Sequence, residues 1–199
     1  MKFQENYNIK FLQYFSLLLI LNLISLSSWS QIETLNKAPK QISFSVGYLY
    51  ILSNDFDSVP SNGLSGCFDY GWQLSGFHSN RKSFISVPFV FKYLPSTSSD
   101  ERNSFIYSYG WAVRHELIAD KKTVPFIGYA LLLNQMSEHN VKGGIIGHQT
   151  RFEIGANHTL KPHFILYIKG EYNYNSYRML HVKNSLHMQI FELKVGCRF

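Results

Sequence analysis

The sequence lacks most of the short motifs that mark enzymes and nucleic-acid-binding proteins. No pair of His or Cys residues has the spacing of metal ligands, and no glycine-rich phosphate-binding loop is present. Basic residues outnumber acidic ones by 19 to 13, but they are scattered and form no basic run. These absences predict a protein without a bound cofactor and without a nucleic-acid partner.

The first thirty residues have the order of a secretory signal peptide. A weakly basic start precedes an apolar run from Phe11 to Leu26, and the small residues Ser28 and Ser30 follow it. The run is short for a membrane-spanning helix and no stop-transfer pattern follows, which argues against an uncleaved anchor. We therefore expect residues 1–30 to be a signal peptide cleaved after Ser30, and residues 31–199 to form one domain.

The end of the sequence shows strict alternation of apolar and polar residues. One parity contains Phe191, Leu193, Val195, Cys197 and Phe199, and the other contains Glu192, Lys194, Gly196 and Arg198. Because successive side chains of a strand point to opposite faces, the pattern predicts a β-strand with one apolar and one polar face. The apolar face ends on an aromatic residue with nothing after it to cover that face, which favours a lipid environment.

The same alternation recurs seven more times along the chain. The eight predicted strands cover about residues 42–52, 64–74, 84–94, 105–113, 125–135, 146–156, 164–174 and 187–199. Pro88 cannot donate to a ladder, so we expect a bulge or a weak pairing in the third strand. The fifth strand is the least regular, because placing Leu131 and Leu133 outward leaves Leu132 facing inward.

The connections between these strands complete the predicted fold. Four loops, each longer than the three turns between them, alternate with strands that are long enough to cross a bilayer when tilted. An even strand number with long loops at one end is typical of outer-membrane barrels, which keep their turns and both termini in the periplasm. The predicted fold class is all-β: an eight-stranded antiparallel up-and-down transmembrane β-barrel after a cleaved signal peptide.

Taken together, these features resemble the small outer-membrane β-barrel proteins of Gram-negative bacteria, in the PorT-like and OmpX/OmpW-like group. The resemblance covers the whole chain after residue 30. Its most specific segments are residues 87–93, 125–128, 152–155, 171–174 and 193–199. The family mixes adhesion, envelope-integrity and secretion-accessory members, so the resemblance implies an architecture more than an activity.

The resemblance also implies a location and partners. We expect the protein in the outer membrane, in contact with its lipid and lipopolysaccharide. The closing strand would be recognised by the barrel-assembly machinery, and a protein partner would meet the external loops. The residues expected to form the C-terminal signal that closes the barrel are Phe191, Leu193, Val195 and Phe199.

Inward-facing residues of the last three strands form pairs of opposite charge at similar depth. The pairs are Arg151 with Glu153, Lys169 with Glu171, and Glu192 with Lys194, and Asp69 and Arg114 extend the set from the second and fourth strands. An eight-stranded barrel has interior space only for its own side chains. We therefore expect a salt-bridge network that plugs the lumen. A narrow path for protons or water through this network is the alternative.

Outward aromatic side chains predict a girdle at the outer membrane–water interface. Its expected members are Tyr50, Tyr70, Tyr93, Tyr107, Tyr172 and Tyr174. The only two cysteines are expected near opposite ends of the barrel, Cys67 at the outer end of the second strand and Cys197 at the periplasmic end of the eighth. A disulfide cannot span that distance, so we expect two free thiols.

Histidines introduce a second hypothesis, an outer-membrane enzyme that modifies lipid A as a deacylase or acyltransferase. The segment His78-Ser79-Asn80 resembles the His-x-Ser-Asn stretch of lipid A deacylases, but it is one residue short and lies on a predicted periplasmic turn. His148 is predicted to face lipid near the outer leaflet, with Ser137 and Glu138 in the preceding loop. Such residue types could supply a nucleophile and its base.

A soluble exported barrel of the lipocalin type is the third hypothesis. It requires an apolar lumen, whereas the inward parity of strands six to eight is charged. We therefore favour the first hypothesis: a non-enzymatic integral outer-membrane barrel that presents four external loops for envelope integrity, adhesion or a secretion-accessory role.

Overall fold

The computed structural model describes residues 39–56, 59–74, 82–96, 103–118, 121–137, 145–178 and 185–199. The predicted signal peptide lies outside these residues. Eight strands occupy most of the described chain. They are β1 Lys40–Asn54, β2 Asn62–Leu74, β3 Ser83–Leu94, β4 Ser104–Glu116, β5 Thr123–Ser137, β6 Ile145–Lys161, β7 Phe164–Arg178 and β8 Ser185–Arg198. The described residues include no helix that is long and apolar enough to span a membrane.

The strands form one closed antiparallel barrel, as the sequence predicts. Each strand pairs with the next one along the chain, and β8 pairs with β1 to complete the circle. At the seam, the Phe199 N–H donates to the Ile42 carbonyl at 2.9 Å, and the Ile42 N–H donates back at 3.2 Å. Because the sheet has no free edge, every strand finds backbone partners on both sides.

The connections place four chain reversals at one end of the barrel, the loop end, and three at the other, the turn end. Several strands extend further toward the loop end than predicted, and β7 reaches Arg178. β1 likewise reaches Asn54, so that the first loop is confined to residues 55–61. This loop is shorter than the turn-end connection of residues 75–82 between β2 and β3. The expectation that every loop is longer than every turn is therefore wrong.

Apolar side chains cover the outside of the barrel. On every strand the predicted apolar parity points outward, and Ile146 and Ile154 on β6 are each 66% exposed. Charged side chains face the lumen instead. This arrangement is the reverse of a soluble lipocalin-like barrel, which needs an apolar lumen and a polar exterior, so that hypothesis is wrong.

The structure shows how the barrel accommodates two irregular positions of the predicted strands. Pro88 weakens the β3–β4 ladder without a bulge, because pairing stops after Ser86↔Ala112 and resumes in the same register at Phe89↔Tyr109. Leu132 does face inward, where it packs in a small apolar cluster with Cys67, Val90, Ala112 and Ala130.

Candidate functional site

The loop end of the lumen is filled by apolar side chains. This apolar cap consists of Leu49, Ile51, Phe56, Leu94, Ile106, Met136, Ile145, Tyr177, Met188 and Ile190. Phe56 comes from the connection after β1 and meets the ring of Tyr177 edge-on, with the centroids 5.5 Å apart. The cap thus makes this end of the lumen an apolar packed core.

A continuous chain of ion pairs crosses the middle of the lumen. The Glu171 carboxylate lies 2.7 Å from the Nζ atoms of both Lys169 and Lys194. Lys169 also reaches Glu153 at 2.9 Å, and Lys194 reaches Glu192 at 2.8 Å. Positive and negative groups thus alternate over three neighbouring strands, so that each charge of this set has an opposite charge beside it.

Two more cations extend this chain from other strands. Arg114 Nε on β4 lies 2.7 Å from Glu153 Oε1, and Lys92 Nζ on β3 lies 2.7 Å from Glu192 Oε1. We call the alternating set the ion-pair chain; its members in order are Arg114, Glu153, Lys169, Glu171, Lys194, Glu192 and Lys92. Arg151 lies beside it, 3.7 Å from Glu171.

Side-chain amides connect the ion-pair chain to the neighbouring lumen. Asn173 donates to Glu192 Oε1 at 2.8 Å and accepts a hydrogen bond from Gln149. Ser108 in turn donates to Gln149 Oε1 at 3.1 Å. These groups satisfy polar atoms that burial would otherwise leave without partners.

Glycines on the inward faces make room for the charged side chains. A Cβ at Gly47 would lie 2.5 Å from Lys194 Cγ, and a Cβ at Gly128 would lie 2.7 Å from Glu153 Oε1. Both distances are far below normal contact, so these positions admit no side chain while the charges stay in place. The sequence therefore specifies the network by its small residues as well as by its charges.

The structure separates Asp69 from the other predicted network residues. Its carboxylate accepts hydrogen bonds from the Ser43 hydroxyl at 3.1 Å and the Cys67 thiol at 3.6 Å, and it forms no ion pair within the described residues. Cys67 is inward and lies in the middle of β2, not near its outer end. Cys67 and Cys197 are both free thiols, as predicted.

Sequence reasoning missed three buried charges, although their parity could have revealed them. Lys92, Glu116 and Arg198 all lie on inward positions of their strands. Lys92 alternates with outward Phe91 and Tyr93, and the alternation of β8 already places Arg198 with Lys194. None of the three forms an ion pair with an adjacent strand in the described chain: Lys92 meets Glu192 across the lumen, and Glu116 accepts a hydrogen bond from Asn157 on β6.

A small cavity lies in the turn half of the lumen, and most of its lining comes from β1 to β4. Its volume is about 20 Å³, and three arginines line it: Arg114, Arg151 and Arg198. The guanidinium of Arg198 stacks 4.8 Å from the Phe84 ring centroid, and that of Arg114 stacks 4.4 Å from the ring of Phe126. Asp69 and Glu153 also line the cavity.

Outward positions near the loop end carry a row of polar side chains, of which Ser176 is buried by its neighbours. Ser176 on β7 lies directly opposite His148 on β6 and directly opposite His187 on β8. His187 Nδ1 is 2.8 Å from the Tyr174 hydroxyl, and its backbone N–H donates to the Asp55 carboxylate. Directly opposite residues of antiparallel strands have Cβ atoms roughly 5 Å apart, so the serine lies between two imidazoles.

This outer row differs from the arrangement predicted around His148. Ser137 ends β5 and would oppose residue 144, four residues and roughly 13 Å along the strand from His148. Glu138 and the His78-Ser79-Asn80 segment lie outside the described residues. No group of three or more His, Cys, Asp or Glu side chains in the described chain could hold a metal ion.

Most of the expected girdle tyrosines lie toward the loop end, with two exceptions. Tyr50, Tyr93, Tyr107 and Tyr174 lie in the loop halves of their strands. Tyr70 pairs with Ile42 near the start of β1, so it belongs to the turn half and its expected position is wrong. Tyr172 is in the middle of β7, and its hydroxyl reaches Gln189 at 3.0 Å on the loop side.

The expected closing signal lies on the outer face of β8. Phe191, Leu193, Val195 and Phe199 are all exposed there. The Phe199 ring packs 5.3 Å from the ring of Phe164, which begins the neighbouring β7. The strand thus presents a continuous apolar stripe beside the seam with β1.

Similarity to solved structures agrees with this architecture. Neisserial surface protein A superposes with a TM-score of 0.63 at 16% sequence identity, over 80% of this chain and 95% of that chain. The outer-membrane enzyme PagL superposes with a TM-score of 0.52 at 11% identity, over 78% of this chain and 97% of that chain. No protein-family model matches the sequence, and no curated protein is similar to it.

The closed barrel, its apolar outer surface and its buried charges define the class: an integral outer-membrane β-barrel. At the level of fold, the resemblance predicted from the sequence is confirmed. The particular fold is that of the small eight-stranded barrels, shared with Neisserial surface protein A.

Proposed function

We propose that the protein is a non-enzymatic outer-membrane barrel whose closed lumen supports four external loops. The observation that carries this proposal is the filled lumen, in which an apolar cap lies above a continuous ion-pair chain. Side chains that occupy the interior in this way leave a plug rather than a pore. The chemistry accessible to other molecules is then concentrated on the loops.

A conductance measurement tests whether the lumen is closed. Purified full-length protein is inserted into planar lipid bilayers, and the same preparation is checked for insertion by its gel mobility before and after boiling. We expect no discrete conductance steps above those of the lipid alone. Stepwise conductance from inserted protein would show that the ion-pair chain leaves a path for ions, and the proposal of a plug would be wrong.

The orientation belongs to the same proposal. We propose that the loop end faces the exterior, that both ends of the barrel chain face the periplasm, and that export uses a signal peptide cleaved after Ser30. The barrel-assembly machinery would recognise the stripe on β8. An epitope inserted at residues 97–102 should be accessible to antibody on intact cells, whereas one inserted at residues 119–120 should require permeabilised cells. The opposite result would reverse the orientation.

The role of the loops is then in adhesion, envelope integrity or secretion. Assays of adhesion, envelope integrity and secretion would compare three kinds of cells: cells without the gene, cells with the full chain, and cells with a chain whose four loops are shortened. In the assay where the full chain makes a difference, we expect cells with the shortened chain to behave like cells without the gene, although the shortened barrel is still inserted in the outer membrane. If the shortened chain restores every difference, the loops do not carry the function.

A second candidate function is favoured by the outer row of polar side chains. Ser176 between His148 and His187 brings a hydroxyl nucleophile beside two bases, at the level where the outer leaflet would lie. This arrangement would suit hydrolysis or transfer of an acyl chain of lipid A, and PagL shows that such a barrel can be an enzyme. It ranks second because His187 Nδ1 lies 2.8 Å from the Tyr174 hydroxyl, so that imidazole nitrogen is engaged by a tyrosine and not by Ser176.

Mass spectra of lipid A separate the two functions. We would compare cells without the gene, cells with the full chain and cells with Ser176→Ala or Ser137→Ala. Acyl chains altered by the full chain and by Ser137→Ala, but not by Ser176→Ala, would establish the enzyme. Identical spectra in all four strains would leave the non-enzymatic barrel.

A further inference from the structure

The buried charges of the described barrel do not balance. Five carboxylates are buried: Asp69, Glu116, Glu153, Glu171 and Glu192. Six cations are buried with them: Lys92, Arg114, Arg151, Lys169, Lys194 and Arg198. An uncompensated charge in a low-dielectric interior is costly, so the excess positive charge calls for a partner.

The excess lies between the middle of the lumen, where Arg151 projects from β6, and the turn end, where Arg198 ends β8. Arg198 is 3% exposed, and both of its terminal nitrogens lack a hydrogen-bond partner. Arg151 is 1% exposed; its Nε lacks a hydrogen-bond partner, and its Nη1 is an ion-pair partner of Glu171 at 3.7 Å, beyond hydrogen-bond distance. Both side chains line the 20 Å³ cavity. The charges of the ion-pair chain are compensated by comparison, because each of its carboxylates lies within 3 Å of two cations.

The two carboxylates at the cavity do not cancel the three arginines. Glu153 is already shared by Arg114 and Lys169, at 2.7 and 2.9 Å. Asp69 is turned toward Ser43 and Cys67 and lies within 4 Å of no cation in the described chain. The guanidinium groups of Arg114 and Arg198 stack over the aromatic rings of Phe126 and Phe84. Because the ring covers only the flat face of the Arg198 guanidinium, the N–H groups at its edge are free to donate.

We propose that this cavity binds one monovalent inorganic anion, of the size of chloride, through the N–H groups of Arg151 and Arg198. The volume is sufficient for a single small guest and excludes bulky organic anions. Binding neutralises the excess charge of the lumen and stabilises the folded barrel. Asp69 opposes it, and therefore sets an upper limit on its affinity.

Thermal unfolding of the full-length barrel in a zwitterionic detergent tests the proposal. Sodium chloride is titrated against sodium gluconate at constant ionic strength, so that screening does not change while the small anion replaces the large one. We expect a saturable rise in the unfolding midpoint with chloride, as for any ligand bound only by the folded state. Crystals soaked in bromide should show anomalous density between Arg151 and Arg198.

Three variants make the test specific. Arg198→Met should remove the chloride effect and should be at least as stable as the natural chain in gluconate, because it eliminates an unpaired buried charge. Asp69→Asn should tighten the apparent chloride affinity by about tenfold or more, because a repelling charge is lost. Arg178→Met, at an exposed arginine of the loop end, is the control and should retain the natural response.

Two results would overturn the proposal. Equal midpoints in chloride and gluconate, for the natural chain and for Asp69→Asn, would mean that water alone bridges the arginines. A chloride effect that survives in Arg198→Met would place the anion elsewhere. If Arg198→Met does not fold, the response of Asp69→Asn and the position of bromide decide between these results.

Discussion

Lys92 on β3 and Glu192 on β8 form an ion pair across the lumen, with 2.7 Å between Nζ and Oε1. The two strands are separated by β1 and β2 in the barrel, so the contact joins parts of the wall that share no backbone hydrogen bond. Both side chains are completely buried. The pair therefore links β3 to the ion pairs on β6, β7 and β8.

Removing one partner of this pair should destabilise the barrel strongly. Among the described residues, Lys92→Met leaves Glu192 paired with Lys194 alone, and the loss of one partner from a buried pair costs about 3–5 kcal/mol. We expect a decrease of this size in the free energy of unfolding by urea in lipid vesicles. Lys122→Met, at an exposed lysine, is the control and should change it by less than about 0.5 kcal/mol. Equal stability of both variants would show that the cross-lumen pair contributes nothing.

Inward glycines should be intolerant of a single added methyl group. Gly128→Ala places a Cβ against Glu153 and the Val113 carbonyl, so we expect a loss of roughly 1–3 kcal/mol in the same unfolding measurement. The matched control is Gly66→Ala on β2, where an added Cβ would meet nothing within 4 Å. A Gly128→Ala barrel as stable as the Gly66→Ala barrel would contradict the tight fit around the ion-pair chain.

Depth in the membrane should determine the cost of a charge on the outer face. Ile146 and Ile154 are equally exposed on β6, but Ile146 lies near the loop end and Ile154 near the middle of the strand. In lipid vesicles we expect Ile154→Arg to cost about 2–4 kcal/mol and Ile146→Arg about 0–1 kcal/mol. A soluble barrel predicts small and similar effects at both positions, and that result would refute the membrane orientation of this face.

The two thiols should differ in reactivity. Cys67 is 5% exposed and faces the lumen, whereas Cys197 is half-buried on the outer face. With single-cysteine variants in detergent, we expect maleimide to label Cys197 in the folded barrel and Cys67 only after unfolding. The natural chain should also show no mobility difference with and without reductant. Rapid labelling of Cys67 in the folded state would mean that the lumen is open to small molecules.

Short-range alternation was sufficient to predict the strands and their facing. Leu132 illustrates this, because the regular period correctly placed it inward despite its apolar character. The same rule placed Arg151, Glu153, Lys169, Glu171, Glu192 and Lys194 in the lumen, where they lie together. Each of these facts depends only on a residue and its immediate neighbours in the chain.

Contacts that depend on barrel closure could not be predicted in the same way. Lys92 meets Glu192 only because the tilt and register of all eight strands bring β3 and β8 face to face. The depth of Tyr70 was mistaken for a related reason, since it is fixed by pairing with Ile42 and not by its own strand. The apolar cap required Phe56 to fold inward from a connection, which no periodic pattern indicates.

The most direct test of the central claim is heat-modifiability in the outer-membrane fraction. Cells expressing the full chain are fractionated, and unboiled and boiled samples are compared side by side on detergent gels. A closed, lipid-embedded barrel predicts that the protein is in the outer-membrane fraction and that its mobility changes on boiling. A protein found in the soluble periplasm, or one with the same mobility in both samples, would contradict the account.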